Sequence, residues 1–188
     1  MAREQATSFG AEALKYEVGR PDYPFEAVAW MLEPMPDGSR RIADVGAGTG
    51  KLTRVLAKAS DVEIGRVVRS GGVLGLIWNI RDEREEWVRR LTEIMHSSPA
   101  ENMVNGPDGP RVAEPFGEVE SRRWEWNRPM SRMELHHMAF SRSYLITASD
   151  EERAQIKREM DEFFDELGLG DGTIDMPYVT TAFRALRG

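Results

Sequence analysis

A chain of 188 residues, 40% hydrophobic and 30% charged, is long enough for one soluble domain with a core and too apolar to stay disordered. Its formal net charge of -7 argues against a general nucleic-acid binder, because neutralising phosphates needs a basic surface. The absence of cysteine excludes disulfides, thiolate zinc sites and cysteine nucleophiles.

Residues 1–20 read as a polar, partly helical lead-in without the apolar stretch of a signal peptide. Gly19-Arg-Pro-Asp-Tyr-Pro is a turn-rich break, since each residue before a proline is pushed toward extended backbone. Phe25, Val28, Ala29 and Leu32 follow at helical spacing, and Pro34-Met-Pro-Asp-Gly ends that helix. A short apolar strand is expected from Arg41 to Val45, then a glycine loop, then a helix through Leu52, Val55 and Leu56 to Ala59. Ile64–Arg69 reads as a helix or strand fragment, and Ser70-Gly-Gly as a turn. Val73–Trp78 is nearly all apolar, the pattern of a strand covered on both faces as in parallel sheets. Glu86–Met95 is an amphipathic helix with Trp87, Leu91 and Ile94 on one side. Residues 97–117 form a long loop rich in Pro, Gly and Asn.

Glu118–Trp126 alternates, with Val119, Trp124 and Trp126 as packed positions, and reads as an exposed-edge or antiparallel strand. Met133–Leu145 is a helix. Another opens at Asp150, capped by Asp150 or Ser149 with acids in its first turn, and stops at Gly168. Ile174–Leu186 is a strand in which Pro177 suits an edge or a strand start. No run approaches the roughly 20 apolar residues of a membrane span. No membrane partner is expected, and the protein is read as cytoplasmic. The histidines are His96, His136 and His137. Adjacent residues of a helix or strand point apart, so the last two do not suit a shared metal, and none is expected.

The most informative stretch is Asp44-Val-Gly-Ala-Gly-Thr-Gly-Lys. A strand, a glycine turn and a helix make a ligand cradle. Glycines let the backbone approach closely, and the helix start offers unpaired N–H groups with partial positive charge. Gly46-x-Gly48-x-Gly50 departs from the nicotinamide spacing G-x-G-x-x-G. Leu52 stands where a P-loop needs Ser or Thr for magnesium.

This D-x-G-x-G-x-G pattern resembles motif I of class I S-adenosylmethionine-dependent methyltransferases. Ser8-Phe9-Gly10, Tyr16 and Gly19-Arg-Pro-Asp-Tyr-Pro are similar to the lead-in of the methyltransferase type 11 family. Residues 66–79 look like its helix into the fifth strand, with Ser70 in place of a proline. Ser141-Arg-Ser-Tyr and Pro177-Tyr-Val-Thr-Thr-Ala-Phe-Arg-Ala look like its C-terminal portion, so the likeness covers nearly the whole chain. It implies an α/β fold of Rossmann-like type with antiparallel C-terminal strands. It also implies S-adenosylmethionine as cofactor, held by Asp44, Gly46, Ala47, Gly48, Thr49 and Gly50, and a small-molecule acceptor.

The chain would be one domain: lead-in or lid over 1–33, cofactor core over 40–80, C-terminal strands and helices over 118–188. The core is short. The family places three strands between its glycine loop and fifth strand, with an acid after the second that binds the ribose hydroxyls. Here residues 58–66 run almost directly from one to the other. Asp61-Val62 looks like the start of the second strand and Glu63-Ile64-Gly65 like the helix before the fifth, joined at a seam. Asp61 or Glu63 is a stand-in for the ribose acid. Removing central strands exposes sheet edges and apolar faces, and a homodimer is the expected remedy.

Candidate pocket residues are Tyr16, Arg20 and Tyr23 in the lead-in and Trp78 and Asn79 at the carboxyl end of a strand, where open α/β sheets bind ligands. Core packing competes for Trp78, lid packing for the tyrosines and a solvated ion pair for Arg20. No catalytic acid or base is assigned, because methyl transfer depends largely on positioning. Two other readings compete: a shortened relative without catalysis, and a nucleotide-binding protein, which the glycine spacing and missing acid both weaken.

Overall fold

The computed structural model describes residues 18–35, 40–44, 51–59, 62–63, 68–96, 104, 106, 110–112, 114–142, 145 and 148–188. Ten elements follow in chain order: α1 (Phe25–Leu32), β1 (Arg40–Arg41), α2 (Lys51–Ala59), β2 (Val62–Glu63), β3 (Val73–Arg81), α3 (Glu86–Met95), β4 (Glu120–Ser131), α4 (Arg132–Phe140), α5 (Asp150–Glu166) and β5 (Thr173–Leu186). The architecture is α/β. β1 and β2 pair in parallel, Arg40 opposite Val62 and Arg41 opposite Glu63. A three-stranded sheet has the order β3-β5-β4. Its β3–β5 pairing is antiparallel: Arg187 N donates to Gly72 O at 2.8 Å at one end, and Asp82 N donates to Pro177 O at 2.9 Å at the other. Gly117 N to Leu186 O and Gly188 N to Pro115 O set the same sense between the approach to β4 and β5.

Two strand expectations change. The apolar run Val73–Trp78 is in an antiparallel pair, and in β3 only Ile80 and Arg81 are buried. An unbroken apolar run also serves a strand whose two faces meet different neighbours. Pro177 lies in the central strand, not at an edge of the sheet. It sits opposite Asp82, just past the last residue of β3, so its missing N–H removes one bond where that pairing ends. Glu63 belongs to β2, not to a helix.

The chain divides into two compact units. One comprises Asp22–Ile80, Ser98–Trp126 and Tyr178–Gly188. Its helix α1 starts after Pro24, whose carbonyl accepts from Ala27 and Val28 N–H. The helix buries Ala27, Val28, Met31 and Leu32, and leaves Phe25 exposed. Val28 and Leu32 are inside as expected, but the face is rotated so that Met31 joins them in the core in place of Phe25, with Val55 and Leu56 of α2 and Ala182 of β5. Ile77, Trp124 and Trp30 pack against this cluster, the two indoles edge to face at 5.8 Å. A Cβ on Gly75 would stand 3.1 Å from Met31 Sδ. Positions 75 and 77 of β3 therefore face this cluster. Positions 76, 78 and 80 turn to a second one with Val104 and Phe183, as strand alternation requires. Arg184 lies over Trp30 at 4.2 Å and pairs with Glu33 and Glu120 at 3.0 and 2.9 Å.

The other unit comprises Met1–Pro21, Arg81–Ser97 and Asn127–Pro177. Helix α3 buries Val88, Leu91, Thr92 and Met95, while Trp87 and Ile94 are only half-buried. Thr92 belongs to the inner face because its hydroxyl accepts from the buried Arg81 guanidinium at 3.1 Å. Helix α4 opens on a capping box between Ser131 and Glu134, and the Ser131 backbone N–H holds the Glu134 carboxyl below its usual pKa. Ser149 caps α5 through Glu152 N. α5 buries Ile156, Met160, Phe163 and Phe164, and ends before Gly168, whose φ of +66° suits glycine. Gly19 approaches α4 so closely that a Cβ would lie 2.5 Å from the backbone carbon of His137 and the nitrogen of Met138. Arg128 secures the same segment by donating to Val18 O at 2.7 Å. His136 stacks on Phe140, meets Phe164 edge-on and bonds Asp161 through Nε2 at 2.8 Å.

Gly19→Ala should cost about 1–3 kcal/mol, because the colliding atoms are helix backbone and cannot turn away. Thermal unfolding should show a fall of several degrees, at roughly 2–4 °C per kcal/mol for this size. An unchanged midpoint would mean that the close approach is absent. A second expectation concerns pH. Burial pushes the His136 pKa below the ordinary imidazole value; Lys157 and Arg132 add to this, while Asp161 pulls the other way. A depressed histidine pKa means that the unfolded chain takes up its proton first. The stability from His136 is full above about pH 6.5 and is lost as pH falls below it. The carboxyls of Asp161 and Glu134, also depressed, act only nearer pH 4. Urea unfolding from pH 7.5 to 5.5 should show a decline that His136→Asn flattens; equal slopes in both chains would refute the assignment.

Candidate functional site

The site is built on the face of the sheet that α1 and α2 cover. Asn79 of β3 has the same parity as Gly75 and Ile77, and Thr180 of β5 the same as Ala182. Antiparallel pairing brings the two side by side: Thr180 Oγ1 donates to Asn79 Oδ1 at 2.6 Å. Trp126 of β4 donates its indole N–H to Thr180 Oγ1 at 2.9 Å. Its ring stacks on Tyr178 at 5.2 Å and 22°. Asn79 Nδ2 donates in turn to the main-chain oxygen of Asp22 at 3.0 Å. The row Trp126–Thr180–Asn79 thus crosses three strands and ends on the lead-in.

Asp22 is met from a second side. Lys51, the first residue of α2 and directly after the glycine loop, reaches Asp22 Oδ1 at 3.2 Å. Arg54, one turn on, stands 3.7 Å from the same oxygen. The Lys51 side chain is 11% exposed and the Asp22 carboxylate 69%, so the anion stands in water while the cation is pressed against protein. An exposed pair of this kind contributes little to stability, about 0–1 kcal/mol. Its geometric effect is larger: the lead-in at Asp22, the start of α2 and the carboxyl end of β3 converge on one residue.

Of the residues singled out in the sequence, Asn79 lies at this convergence. Tyr23 is half-buried and packs against the cluster of α1 and α2. Trp78 points to the opposite face of β3, edge to face with Phe183 at 5.8 Å and 76°, which is core packing. Arg20 donates through Nε to Ser141 Oγ at 3.2 Å. Asp44 is half-buried at the head of the glycine loop. Gly46, Ala47, Gly48, Thr49, Gly50 and Tyr16 lie outside the described residues, as does Asp61. Asp22, Lys51 and Thr180 were not singled out, and Trp126 was read as a packed position of its strand. For Lys51 a signal existed in its place after Gly50; the other three depend on strand register. Among the described residues, no group of three or more histidine and carboxylate side chains is placed to hold a metal, and no helix is long and apolar enough to cross a membrane.

Comparison with known proteins places this geometry in context. No family profile matches the chain. An uncharacterized methyltransferase of Mycobacterium tuberculosis is 31% identical over 245 residues, covering 97% of this chain and 97% of the relative. One from Mycobacterium bovis matches to the same extent. An uncharacterized methyltransferase-like protein of Schizosaccharomyces pombe is 24% identical over 240 residues, covering 94% of each chain.

The two contacts on Asp22 differ in burial, and so should their removal. Asn79→Ala leaves the Thr180 hydroxyl, fully buried, without its acceptor, at a cost of about 1–3 kcal/mol. Asp22→Asn removes only exposed charge and should cost less than about 1 kcal/mol. Urea unfolding of both variants checks the order. A larger loss in Asp22→Asn would mean that the ion pair, not the buried row, holds the segment.

Proposed function

The chain belongs to this methyltransferase family, and we propose that it transfers a methyl group from S-adenosylmethionine to a small-molecule acceptor. The observation that carries the reading is the setting of Asp44-Val-Gly-Ala-Gly-Thr-Gly between β1 and α2: a strand, a loop of alternating glycines, and a helix present from Lys51. The first turn of α2 contains no acid, so its partial positive end is not neutralised from within the helix. Asp44, at the head of the loop, supplies a carboxylate acceptor for the amino end of the donor. Gly46, Ala47, Gly48, Thr49 and Gly50 would hold it through main-chain N–H groups and close backbone approach. The surroundings are of the Rossmann-like type.

The donor would supply a sulfonium-bound methyl, its S–C bond breaking as the acceptor's new bond to carbon formed, with the thioether as leaving group and the acceptor proton passing to solvent. The chain's own task is to fix distance and line between the two partners. Such positioning alone can supply most of the acceleration, about 7–11 kcal/mol of the barrier in well-oriented cases. Positioning of this kind does not require a dedicated acid or base. Asn79 and Tyr23 stand at the lead-in side of the proposed cleft as acceptor contacts.

A second reading has its own observation. An alignment of 245 positions against a chain of 188 leaves at least 57 that this chain does not fill. We place them at the seam near residues 60–64, where β2 is two residues long and β3 begins ten residues later. On this reading the chain keeps the fold of the family but has lost part of the cofactor site, and acts as a binding remnant.

Calorimetric titration with S-adenosylmethionine and S-adenosylhomocysteine decides between them. Micromolar binding that a Gly48→Arg chain loses, through side-chain bulk in the loop, would establish the donor site. A folded chain that takes up neither ligand at millimolar concentration would retire the first reading in favour of the second.

A further inference from the structure

The row Trp126–Thr180–Asn79–Asp22 has a direction that chemistry imposes. An indole N–H can only donate. Thr180 Oγ1 accepts from Trp126 at 2.9 Å and gives its one proton to Asn79 Oδ1, 2.6 Å away. The Asn79 carboxamide is thereby held with its oxygen toward Thr180 and its nitrogen toward the lead-in. Only that orientation satisfies the Asp22 carbonyl, which can only accept. A flipped amide would set oxygen against oxygen at Asp22 and would deprive the buried Thr180 proton of its Asn79 acceptor. Thr180 is fully buried and Trp126 is locked by stacking on Tyr178, so the source of the orientation is rigid. Packing alone does not require this: an apolar row would fill the same space without desolvating a hydroxyl and an amide.

We infer that Thr180 and Trp126 are positioning residues: through the orientation of the Asn79 amide they hold the lead-in at Asp22 and Tyr23 against the carboxyl end of β3, where the donor and acceptor meet. Lys51 and Arg54 then fix the Asp22 side chain from the helix that follows the glycine loop. The Thr180 proton holds Asn79 Oδ1 in place, so a substitution at Thr180, which no ligand need touch, is felt in the affinity for the donor. The consequence for donor binding rests on the S-adenosylmethionine reading; the orientation of the row does not.

The test compares Thr180→Val, which keeps the branched shape and removes the hydroxyl, with Thr180→Ser, which keeps the hydroxyl. Two readouts are taken on the full chain. The first is the dissociation constant for S-adenosylhomocysteine by calorimetry. The second is amide exchange at Asp22 and Tyr23, the residues between Pro21 and Pro24 that carry an N–H, by nitrogen-15 NMR. Thr180→Val should weaken the ligand about tenfold and speed exchange at both amides by about tenfold, the effect of one lost hydrogen bond. Thr180→Ser should restore both, which a role in packing alone would not produce. Should Thr180→Val fail to fold, Trp126→Phe replaces it, since it removes the donor that holds the Thr180 oxygen in place and should shift both readouts in the same sense. Unchanged affinity with exchange accelerated would overturn the link to binding. Unchanged exchange at Asp22 and Tyr23 would overturn the positioning role itself. If the parent chain binds no ligand, the methyl-donor reading fails, and the exchange rates alone still decide whether the row holds the lead-in.

Discussion

The antiparallel register of β5 against β3 is the constraint on which the described structure turns. β5 stands between β3 and β4, and seven of its residues from Tyr178 to Ala185 are buried. The register that puts Arg187 beside Gly72 and Pro177 beside Asp82 also puts Thr180 beside Asn79. A slip of one residue would exchange the faces of the strand. It would carry Ala182 away from Met31 and Leu56, turn Phe183 away from Trp78, and set a valine or a threonine of the wrong face beside Asn79. Packing and polarity thus specify one register together. The apolar cluster under α1 and the edge-to-face pair of Trp78 and Phe183 supply the energy. The bonded row supplies the penalty for any alternative, because misaligned it would leave buried donors and acceptors unmet.

That dependence explains what could be read from the sequence and what could not. Helix α2 and the strand after Gly72 were legible because period and apolar content point the same way there. The faces of α1 and α3 were read one step off. Phe25, Trp87 and Ile94 are large and apolar, and the sequence pattern ranks them as core. The interior is instead filled by Met31 in α1 and by Val88, Thr92 and Met95 in α3. Thr92 enters as partner of a buried arginine, a choice that spacing cannot reveal. The position of Pro177 was misread for a related reason. A proline excludes a donor, but whether a donor is needed depends on where the neighbouring strand ends.

The candidate site divides along the same line. Asn79 was legible, because the end of an apolar strand is where α/β sheets place ligands. Its partners were not. Thr180 reads as one of two threonines in a buried strand, Trp126 as an ordinary aromatic in an alternating one, and Asp22 as a turn residue between two prolines. Each becomes special only when three strands lie in register. Asp22 and Lys51 are 29 residues apart, and Asn79 and Thr180 are 101 apart. No local pattern carries such pairings.

The polar row also bears on how the candidate site keeps a defined geometry. A methyl-transfer site asks for fixed geometry more than for a titrating group, so its quality depends on how few conformations the surrounding loops can take. The lead-in is joined here to β3 through Asn79, to α2 through Lys51 and Arg54, and to the core through Tyr23. The pairing of β1 with β2, by contrast, extends over only two residues on each side. The ordering of the lead-in and the completeness of the parallel pair are therefore separate physical matters. A change in the parallel pair need not touch the lead-in, because the sheet to which Asn79 ties Asp22 is assembled from β3, β4 and β5.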